Sequence, residues 1–229
     1  EIRASDWSSD VCSSDLNPAL PIGAYPKRAP AYDGMVLPKQ QSFADWNQSL
    51  PVGSASSRRT LQFQMQYPAC TVHPIRGNVL TRLEKLDRGE YGALILAEAG
   101  LQRLGLEHRI TRRFSPAEIV PAAGQGILAV QGRAGEYTDL LQRLNDPQAA
   151  FCAKIERAVS KALNGDCTAP IGAYADLQGE HVMLYGFYAE DGVGIKSTLT
   201  GSVTQAESLA NTFAEQLKQQ VQEKKEAML

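Results

Sequence analysis

Hydrophobic positions in the middle of the chain fall into two patterns. Ala93–Ala97 (ALILA) is a continuous apolar run, which is typical of a strand covered on both faces of a parallel sheet. Val79, Leu83 and Leu86 recur at spacings of four and three, which predicts a helix that buries one face. Residues 50–65 also read as strand, Gly/Ser turn and helix. This alternation predicts a parallel sheet with helical crossovers.

The pattern changes in the last third of the chain. Residues 148–163 carry apolar side chains on one helical face, and residues 209–221 repeat an apolar residue at every fourth position. Between these two helices we predict three strands, at residues 171–175, 181–189 and 194–201. Asp191-Gly192 is suited to a hairpin turn between the second and third. Two helices around three strands indicate a small α+β domain.

The predicted fold class is therefore α/β, with a parallel-sheet α/β domain followed by an α+β domain that contains a three-stranded sheet. Residues 1–16 have neither helical nor strand periodicity and repeat Ser-Ser-Asp, which favours a disordered tail or translated vector sequence. The predicted divisions are this tail at 1–16, a remnant or linker at 17–30, the α/β domain at 31–120, a second remnant and linker at 121–147, and the α+β domain at 148–229.

Composition narrows the classes of function. Of 229 residues, 43% are hydrophobic and 21% are charged, a balance that excludes wholesale disorder. Twenty-three basic and 25 acidic residues give a net charge of −2, so the chain as a whole does not attract nucleic acid or an anionic membrane. Four cysteines without a CxxC pair and three dispersed histidines predict neither a disulfide framework nor a metal site. We expect a reducing, cytoplasmic setting and no nucleic-acid or membrane partner.

Arginines at strand-to-helix turns are the first candidate chemistry. Arg58 and Arg59 follow a run of capping serines that includes Ser56, and Arg76 opens the turn before the next helix. Arg82 and Arg103 lie in the same α/β segment. Guanidinium groups beside helix N-termini bind carboxylates and phosphates well, so a ligand with several anionic groups is one interpretation. A solvated basic face is the other.

Cys167 is the second candidate. It lies in the loop Gly165-Asp166-Cys167 between a predicted helix and a predicted strand, where a thiol is more accessible than in a core. A lone loop cysteine is nevertheless more often inert than functional. The turn at Gly124–Gly126 (GQG) matches neither the dinucleotide fingerprint nor a P-loop, so it identifies no ligand.

Several ordered motifs between residues 50 and 175 resemble one known family, the porphobilinogen deaminases, also called hydroxymethylbilane synthases. In chain order these motifs are Gly53–Arg59 (GSASSRR), Ile75–Leu83 (IRGNVLTRL), Leu94–Leu101 (LILAEAGL), Arg103–Gly105 (RLG), Pro121–Gly126 (PAAGQG), Glu156–Ala158 (ERA) and Gly165–Tyr174 (GDCTAPIGAY). They are distributed in this order over more than half of the chain, which makes the resemblance far more specific than any one motif.

The resemblance implies a transferase of tetrapyrrole (haem) biosynthesis that joins porphobilinogen head to tail into the linear tetrapyrrole hydroxymethylbilane and releases ammonia at each step. It implies a dipyrromethane cofactor bound covalently through Cys167. By the same resemblance, Ser56, Arg58, Arg59, Arg76 and Arg82 would bind the cofactor or the carboxylates of the growing polypyrrole chain. Arg103 would bind incoming porphobilinogen. The family also implies a cytoplasmic monomer.

The sequence departs from the family in its first part. The family's acid/base aspartate lies in an early Lys-Asp motif that we do not find here, and Asp33 and Asp45 have the wrong context to replace it. We therefore expect an N-terminally truncated chain without turnover, in which 121–147 is a remnant of the family's first domain. The apolar run Ile127–Val130 should then be poorly covered. Ala55 stands where the family has Ser or Thr.

Two alternatives remain at this stage. One is a non-catalytic protein that clamps an anion between two α/β domains, as periplasmic solute-binding proteins do. It gives Cys167 no function and would need an export signal, whereas residues 1–20 have no apolar core of that kind. The other is a plain α/β fragment in which the primer site does not assemble.

Overall fold

The computed structural model describes residue 17, residues 19–164 and residues 169–228. The expected foreign tail at 1–16 and the loop 165–168, with Cys167, lie outside the described residues. Within the described ranges, no helix is both long enough and apolar enough to pass through a lipid bilayer.

The first part of the chain forms short strands with helices between them. In chain order the elements are β1 (Ile22–Ala24), β2 (Asp33–Val36), β3 (Val52–Gly53), α1 (Ser57–Gln66), β4 (Val72–His73), α2 (Val79–Asp87), β5 (Ala93–Ala97), α3 (Glu98–Arg103), β6 (Ile110–Arg113), β7 (Val130–Gln131) and α4 (Thr138–Leu144). The strand–helix alternation predicted from residue 50 onwards is confirmed.

Five of these strands form one sheet in the order β4-β3-β5-β2-β6. β3 is parallel to both β4 and β5, as predicted. β2 is antiparallel to β5 and to β6, so the sheet is mixed and not wholly parallel. The prediction of a parallel sheet is wrong for β2. This strand precedes the strand–helix alternation and lies between β5 and β6, and local periodicity does not indicate such a position.

The continuous apolar run of β5 is covered on both faces. Ala93 and Ile95 face a core that contains Phe63 of α1, whereas Leu94 and Leu96 face a second core. That second core is completed by α2 and α3, through side chains that include Val79, Leu83, Leu86 and Leu101. The strand in the middle of this sheet therefore reads as uniformly apolar because helices pack on both of its sides.

Side-chain caps begin both helices that follow β3 and β4, and the first of them is the predicted serine cap. The Ser56 hydroxyl accepts a hydrogen bond from the Arg59 amide at the start of α1. The Asn78 side chain accepts one from the Thr81 amide at the start of α2. These caps satisfy backbone donors that have no partner inside a helix, and they fix where each strand-to-helix turn ends.

The last part of the chain is a three-stranded antiparallel sheet with two helices. Its elements are α5 (Pro147–Ala162), β8 (Ile171–Gln178), β9 (His181–Glu190), β10 (Val193–Ser202) and α6 (Ala206–Glu226). Consecutive strands pair in the order β8-β9-β10, and Asp191 and Gly192 both have positive φ at the predicted hairpin. Phe213 and Leu217 of α6 pack with α5 and the sheet, so the predicted α+β architecture is confirmed.

The segment predicted as a linker contains a strand. β1 pairs antiparallel with β7 in a separate two-stranded sheet. Three residues (IGA) are too few to show alternation in the sequence. The run Ile127–Val130 is covered in part: Ile127 is buried in the core of the last domain, whereas Leu128 is 42% exposed. The prediction that this run is poorly buried is therefore wrong for Ile127, because its side chain packs in the core of the C-terminal domain and not on the two-stranded sheet.

Candidate active site

Two buried guanidinium groups converge on one buried carboxylate at the start of α1. Arg58 and Arg59 are the second and third residues of this helix and are only 3% and 7% exposed. Arg58 Nη1 donates to Asp33 Oδ2 at 2.7 Å, and Arg59 Nε donates to Asp33 Oδ1 at 2.8 Å. Asp33 is the first residue of β2 and is fully buried. The two consecutive arginines that the sequence analysis named as candidate anion-binding residues are thus held together by Asp33, which lies 25 residues before Arg58.

Gln125 completes this group of side chains. Its Oε1 accepts from Arg58 Nη2 at 2.9 Å and from Arg59 Nη2 at 3.3 Å. Its Nε2 donates to Asp33 Oδ1 at 2.9 Å and to the Ala31 carbonyl at 2.6 Å. We call Asp33, Arg58, Arg59 and Gln125 the Asp33 cluster. The Gly-Gln-Gly turn, which identified no ligand from sequence, therefore supplies an amide that bridges both arginines.

The glycine after Gln125 is needed for a close approach of backbone. Gly126 has φ of +83°, and a Cβ at this position would lie 2.5 Å from the Ala29 carbonyl oxygen. The Ala29 amide in turn donates to the Gly126 carbonyl at 3.0 Å. This contact fixes the Gln125 turn against the segment that leads into β2, and so it places Gln125 beside Asp33.

The Asp33 cluster carries excess positive charge. Burial by itself would raise the pKa of the Asp33 carboxyl, but Arg58, Arg59 and the Gln125 amide together hold that pKa below its usual value. One ionised carboxylate beside two guanidinium groups leaves one net positive charge at the N-terminus of a helix, where the backbone amides also favour anions. This donor set suits a ligand that carries several carboxylates, such as a dipyrromethane.

The other predicted arginines lie in the same α/β domain: Arg76 in a turn, Arg82 in α2 and Arg103 at the end of α3. Arg76 is exposed in the turn between β4 and α2. Arg82 donates from Nε to the Gly77 carbonyl at 2.6 Å, so it stays close to that turn. Arg103, at the end of α3, donates from Nη2 to the Gly126 carbonyl at 3.3 Å. Arg103 therefore contacts the turn that contains Gln125, whereas Arg76 and Arg82 lie in or beside the turn between β4 and α2.

Strand direction explains why these turns share one side of the sheet. β3 and β4 are parallel, and β3 and β5 are parallel, so all three strands end at the same edge. The Ser56 cap and both buried arginines follow β3, Arg76 follows β4, and α3 follows β5. Ligands of open α/β sheets bind at this carboxyl edge.

A second buried ion pair joins the last domain to the Asp33 cluster, and sequence reasoning missed it. Arg28 donates to the two carboxylate oxygens of Glu156 at 2.6 and 3.2 Å, and its Nε donates to the Gln125 carbonyl at 3.1 Å. Glu156 also accepts from the Gly124 amide at 2.7 Å and the Ala175 amide at 2.8 Å. Glu156 lies in the Glu156–Ala158 motif, which contributed to the family resemblance but had no predicted role in the site. Arg28 lies in a segment without periodicity and gave no signal.

The strand that follows the Cys167 loop packs beside the cluster. The Val120 carbonyl accepts from Arg58 Nη1 at 2.6 Å. A Cβ on Gly172, near the start of β8, would lie 2.8 Å from this same oxygen. The Ala173 amide donates to the Pro121 carbonyl at 2.9 Å. The first residues of β8 therefore lie against the backbone segment to which Arg58 is bonded.

Family models match most of the chain. Residues 9–140 match the "Porphobilinogen deaminase, dipyromethane cofactor binding domain", and residues 150–219 match the "Porphobilinogen deaminase, C-terminal domain". The first range begins inside the segment 1–16, so the foreign origin of residues 9–16 stays a prediction.

Curated relatives are similar over most of the chain. A porphobilinogen deaminase of Acetivibrio thermocellus is 50% identical over 201 residues, which are 87% of this chain and 68% of that protein. One of Alkaliphilus oremlandii is 46% identical over 200 residues, 87% of this chain and 67% of the relative. The chain thus spans about two thirds of the length of these relatives. Among solved structures, a periplasmic binding protein of Salmonella typhimurium with high arginine specificity has a TM-score of 0.33 at 18% identity over 64% of this chain and 68% of that one, a likeness too small to assign a fold.

Proposed function

This chain belongs to the porphobilinogen deaminase family, and on that premise we propose that its Asp33 cluster binds the carboxylates of a dipyrromethane cofactor. The enzymes of this family are transferases, also called hydroxymethylbilane synthases. They act on porphobilinogen and build the linear tetrapyrrole hydroxymethylbilane. The observation that carries the proposal is the pair of buried guanidinium groups that shares a single carboxylate.

The chemistry of the ligand matches the chemistry of the cluster. Each pyrrole unit carries an acetate and a propionate arm, so a dipyrromethane brings four carboxylates and each added unit brings two more. Buried guanidinium groups pair well with carboxylates because the fork of N–H donors matches the two oxygens and the surroundings screen the charge weakly. Arg58 and Arg59 would hold cofactor carboxylates, aided by the helix N-terminus that Ser56 caps.

The remaining arginines would serve the later pyrrole units. Arg76 lies in the turn before α2, and Arg82 lies near the start of α2 and bonds the Gly77 carbonyl of that turn. Both are at the carboxyl edge of the sheet and would pair with carboxylates of the cofactor or the growing chain. Arg103 would bind incoming porphobilinogen, because its contact with the Gly126 carbonyl brings it to the turn beside the cluster. When bound, the dipyrromethane supplies the free α-carbon to which the first substrate unit is joined.

We propose that this chain by itself does not turn over. Each condensation releases ammonia and leaves a proton to be removed, and the family assigns both tasks to an aspartate in its early Lys-Asp motif, which we do not find here. Asp33 is unsuited because it is fully buried and paired with two arginines. Asp45 is unsuited because it bonds Ser42 in a local helix cap. Sustained formation of tetrapyrrole from porphobilinogen would contradict this part of the proposal.

Covalent loading tests the function directly. Incubation of the purified chain with hydroxymethylbilane should raise its intact mass by the four pyrrole units of that compound, less one water. In that reaction the Cys167 thiol gives up its proton, the hydroxymethyl arm gives up its hydroxyl group, water leaves and a carbon–sulfur bond forms. Cys167→Ser should abolish the adduct. Cys152→Ser is the matched control and should keep it, because the Cys152 thiol is buried and its pKa is raised to about 11 by burial.

Two results would contradict the proposal. One is a folded wild-type chain that forms no adduct, which the alternative of a non-catalytic anion-binding protein predicts. The other is an adduct that survives Cys167→Ser, which would remove Cys167 as the attachment point.

The setting of the protein is also part of the proposal. We propose a cytoplasmic monomer that works on porphobilinogen and the growing polypyrrole chain, without nucleic-acid or membrane partners. The near-neutral charge and the free thiols of Cys70 and Cys152 agree with a reducing compartment. Size-exclusion chromatography with light scattering should give the mass of one chain.

A further inference from the structure

The backbone of Asp33 is fixed from both sides. It lies opposite Ala97 in the antiparallel pairing of β2 with β5. Its carbonyl accepts from the Phe114 amide, just beyond β6, at 2.9 Å. A carboxylate on such a position has little freedom to move, because neighbouring strands hold its backbone and its own side chain has only two rotatable bonds.

One carboxylate reaches two side chains that a helix normally separates. Consecutive helical residues point about 100° apart, so the side chains of Arg58 and Arg59 do not meet by default. They converge here because Asp33 accepts from Nη1 of one and Nε of the other. Gln125 accepts from Nη2 of both and donates to the same carboxylate. Asp33 and Gln125 thus each contact both guanidinium groups, and the Val120 carbonyl holds Arg58 as well.

A negative charge in this place is unexpected if the site only attracts anions. Coulomb attraction for a polycarboxylate would be stronger without Asp33, because its removal raises the local charge from one net positive to two. Two like charges at a helix N-terminus would, however, repel each other and separate. The carboxylate therefore weakens the field of the site and fixes its geometry at the same time.

We propose that Asp33 is a positioning residue: it orients the guanidinium groups of Arg58 and Arg59 so that both address the carboxylates of one bound dipyrromethane. This inference rests on the proposed function. Its consequence has a definite sign, since loss of the Asp33 charge weakens binding of a polycarboxylate although it makes the site more positive.

The test measures non-covalent binding in chains that cannot form the thioether. In a Cys167→Ser background, isothermal titration with the dipyrromethane that carries acetate and propionate arms compares three variants: Asp33→Asn, Asp33→Glu and the control Glu98→Gln. Glu98 is also buried and pairs with Arg113, outside the cluster. Circular dichroism gives the folded fraction of each variant, and binding is expressed per folded chain.

We expect Asp33→Asn to raise the dissociation constant at least about tenfold, the equivalent of one lost charge-assisted hydrogen bond. Asp33→Glu, which restores the charge, should recover part of the affinity, and Glu98→Gln should bind like the parent. An unchanged or lower dissociation constant in folded Asp33→Asn would overturn the inference, because simple attraction predicts tighter binding. If the wild-type chain loads no oligopyrrole from hydroxymethylbilane, the proposed function fails. If it loads normally and Asp33→Asn binds equally well, only the positioning role fails.

A neutral variant keeps the test decisive if Asp33→Asn does not fold. Gln125→Met removes the amide that bonds both arginines and Asp33 but leaves the charge of the site unchanged. Gln66→Met is its control, since Gln66 bonds only the Glu118 carbonyl at the far end of α1 among the contacts described. Weaker binding in Gln125→Met but not in Gln66→Met supports the proposal that the orientation of the two guanidinium groups determines affinity. Equal binding in both variants overturns that proposal.

Discussion

Removal of the Asp33 charge should destabilise the fold, because Asp33 is the buried counter-charge of two arginines. Asp33→Asn leaves the buried guanidinium groups of Arg58 and Arg59 without a counter-charge. Breaking one partner of a buried ion pair costs about 3–5 kcal/mol. Asparagine keeps one acceptor oxygen, so we place the loss near the lower end, at about 3 kcal/mol.

A double-mutant cycle isolates the pairwise part of this loss. Arg58→Met keeps much of the aliphatic packing and leaves Asp33 paired with Arg59, so it should cost less than Asp33→Asn. The double variant should lose about 1–2 kcal/mol less than the sum of the two single variants, because the broken contact is counted twice in that sum.

Urea denaturation followed by circular dichroism measures these values. With a slope of about 2 kcal/mol per molar urea, the midpoint of Asp33→Asn should fall by about 1.5 M. Asp191→Asn is the control: this carboxylate is 81% exposed and pairs with Lys225 at the surface, so its loss should cost well under about 1 kcal/mol. An Asp33→Asn midpoint within experimental error of wild type, or strict additivity with Arg58→Met, would refute the role we assign to the buried pair.

Three further results are expected. Because the pKa of Asp33 is lower in the folded chain than its ordinary value, ionised Asp33 stabilises the fold, and this stabilisation should be lost as the pH falls below about 4; urea midpoints measured from pH 5 to pH 2 should fall less steeply in Asp33→Asn than in the wild type. Gly126→Ala should lower the midpoint more than Gly89→Ala, because both glycines have positive φ but only Gly126 would bring its Cβ against backbone, the Ala29 carbonyl; equal losses would contradict this. Cys152 should react slowly with iodoacetamide at pH 8 in the folded chain and rapidly in urea, because burial raises its thiol pKa to about 11, and fast labelling of the folded chain would contradict that burial.

Elements with a clear local pattern were predictable from sequence. The stripe on α2, the serine cap of α1, the apolar run of β5 and the hairpin at Asp191 follow from side-chain spacing and turn chemistry, and the structure confirms each of them. These features depend on neighbours within a few residues, which is the range that periodicity reports.

The partners inside the site were not predictable in the same way. Asp33 is 25 residues from Arg58, and Gln125 is 67 residues from it, so no local pattern connects them. The sequence context of Asp33 argued against a role as acid or base, but it did not reveal the role of this residue as a counter-charge. The burial of Arg58 and Arg59 was equally hidden, because arginines at a turn are exposed more often than not. Tertiary packing brings these groups together: β2 pairs with β5, and the Gly126 turn contacts Ala29.

The most direct test of the account is an experimental structure of the chain after loading with hydroxymethylbilane. We expect electron density continuous with Cys167 Sγ and pyrrole carboxylates within hydrogen-bond distance of Arg58 or Arg59, about 2.7–3.0 Å. The Asp33 contacts to both guanidinium groups should remain as described. A bound pyrrole chain whose carboxylates pair elsewhere and contact neither Arg58 nor Arg59 would contradict the account.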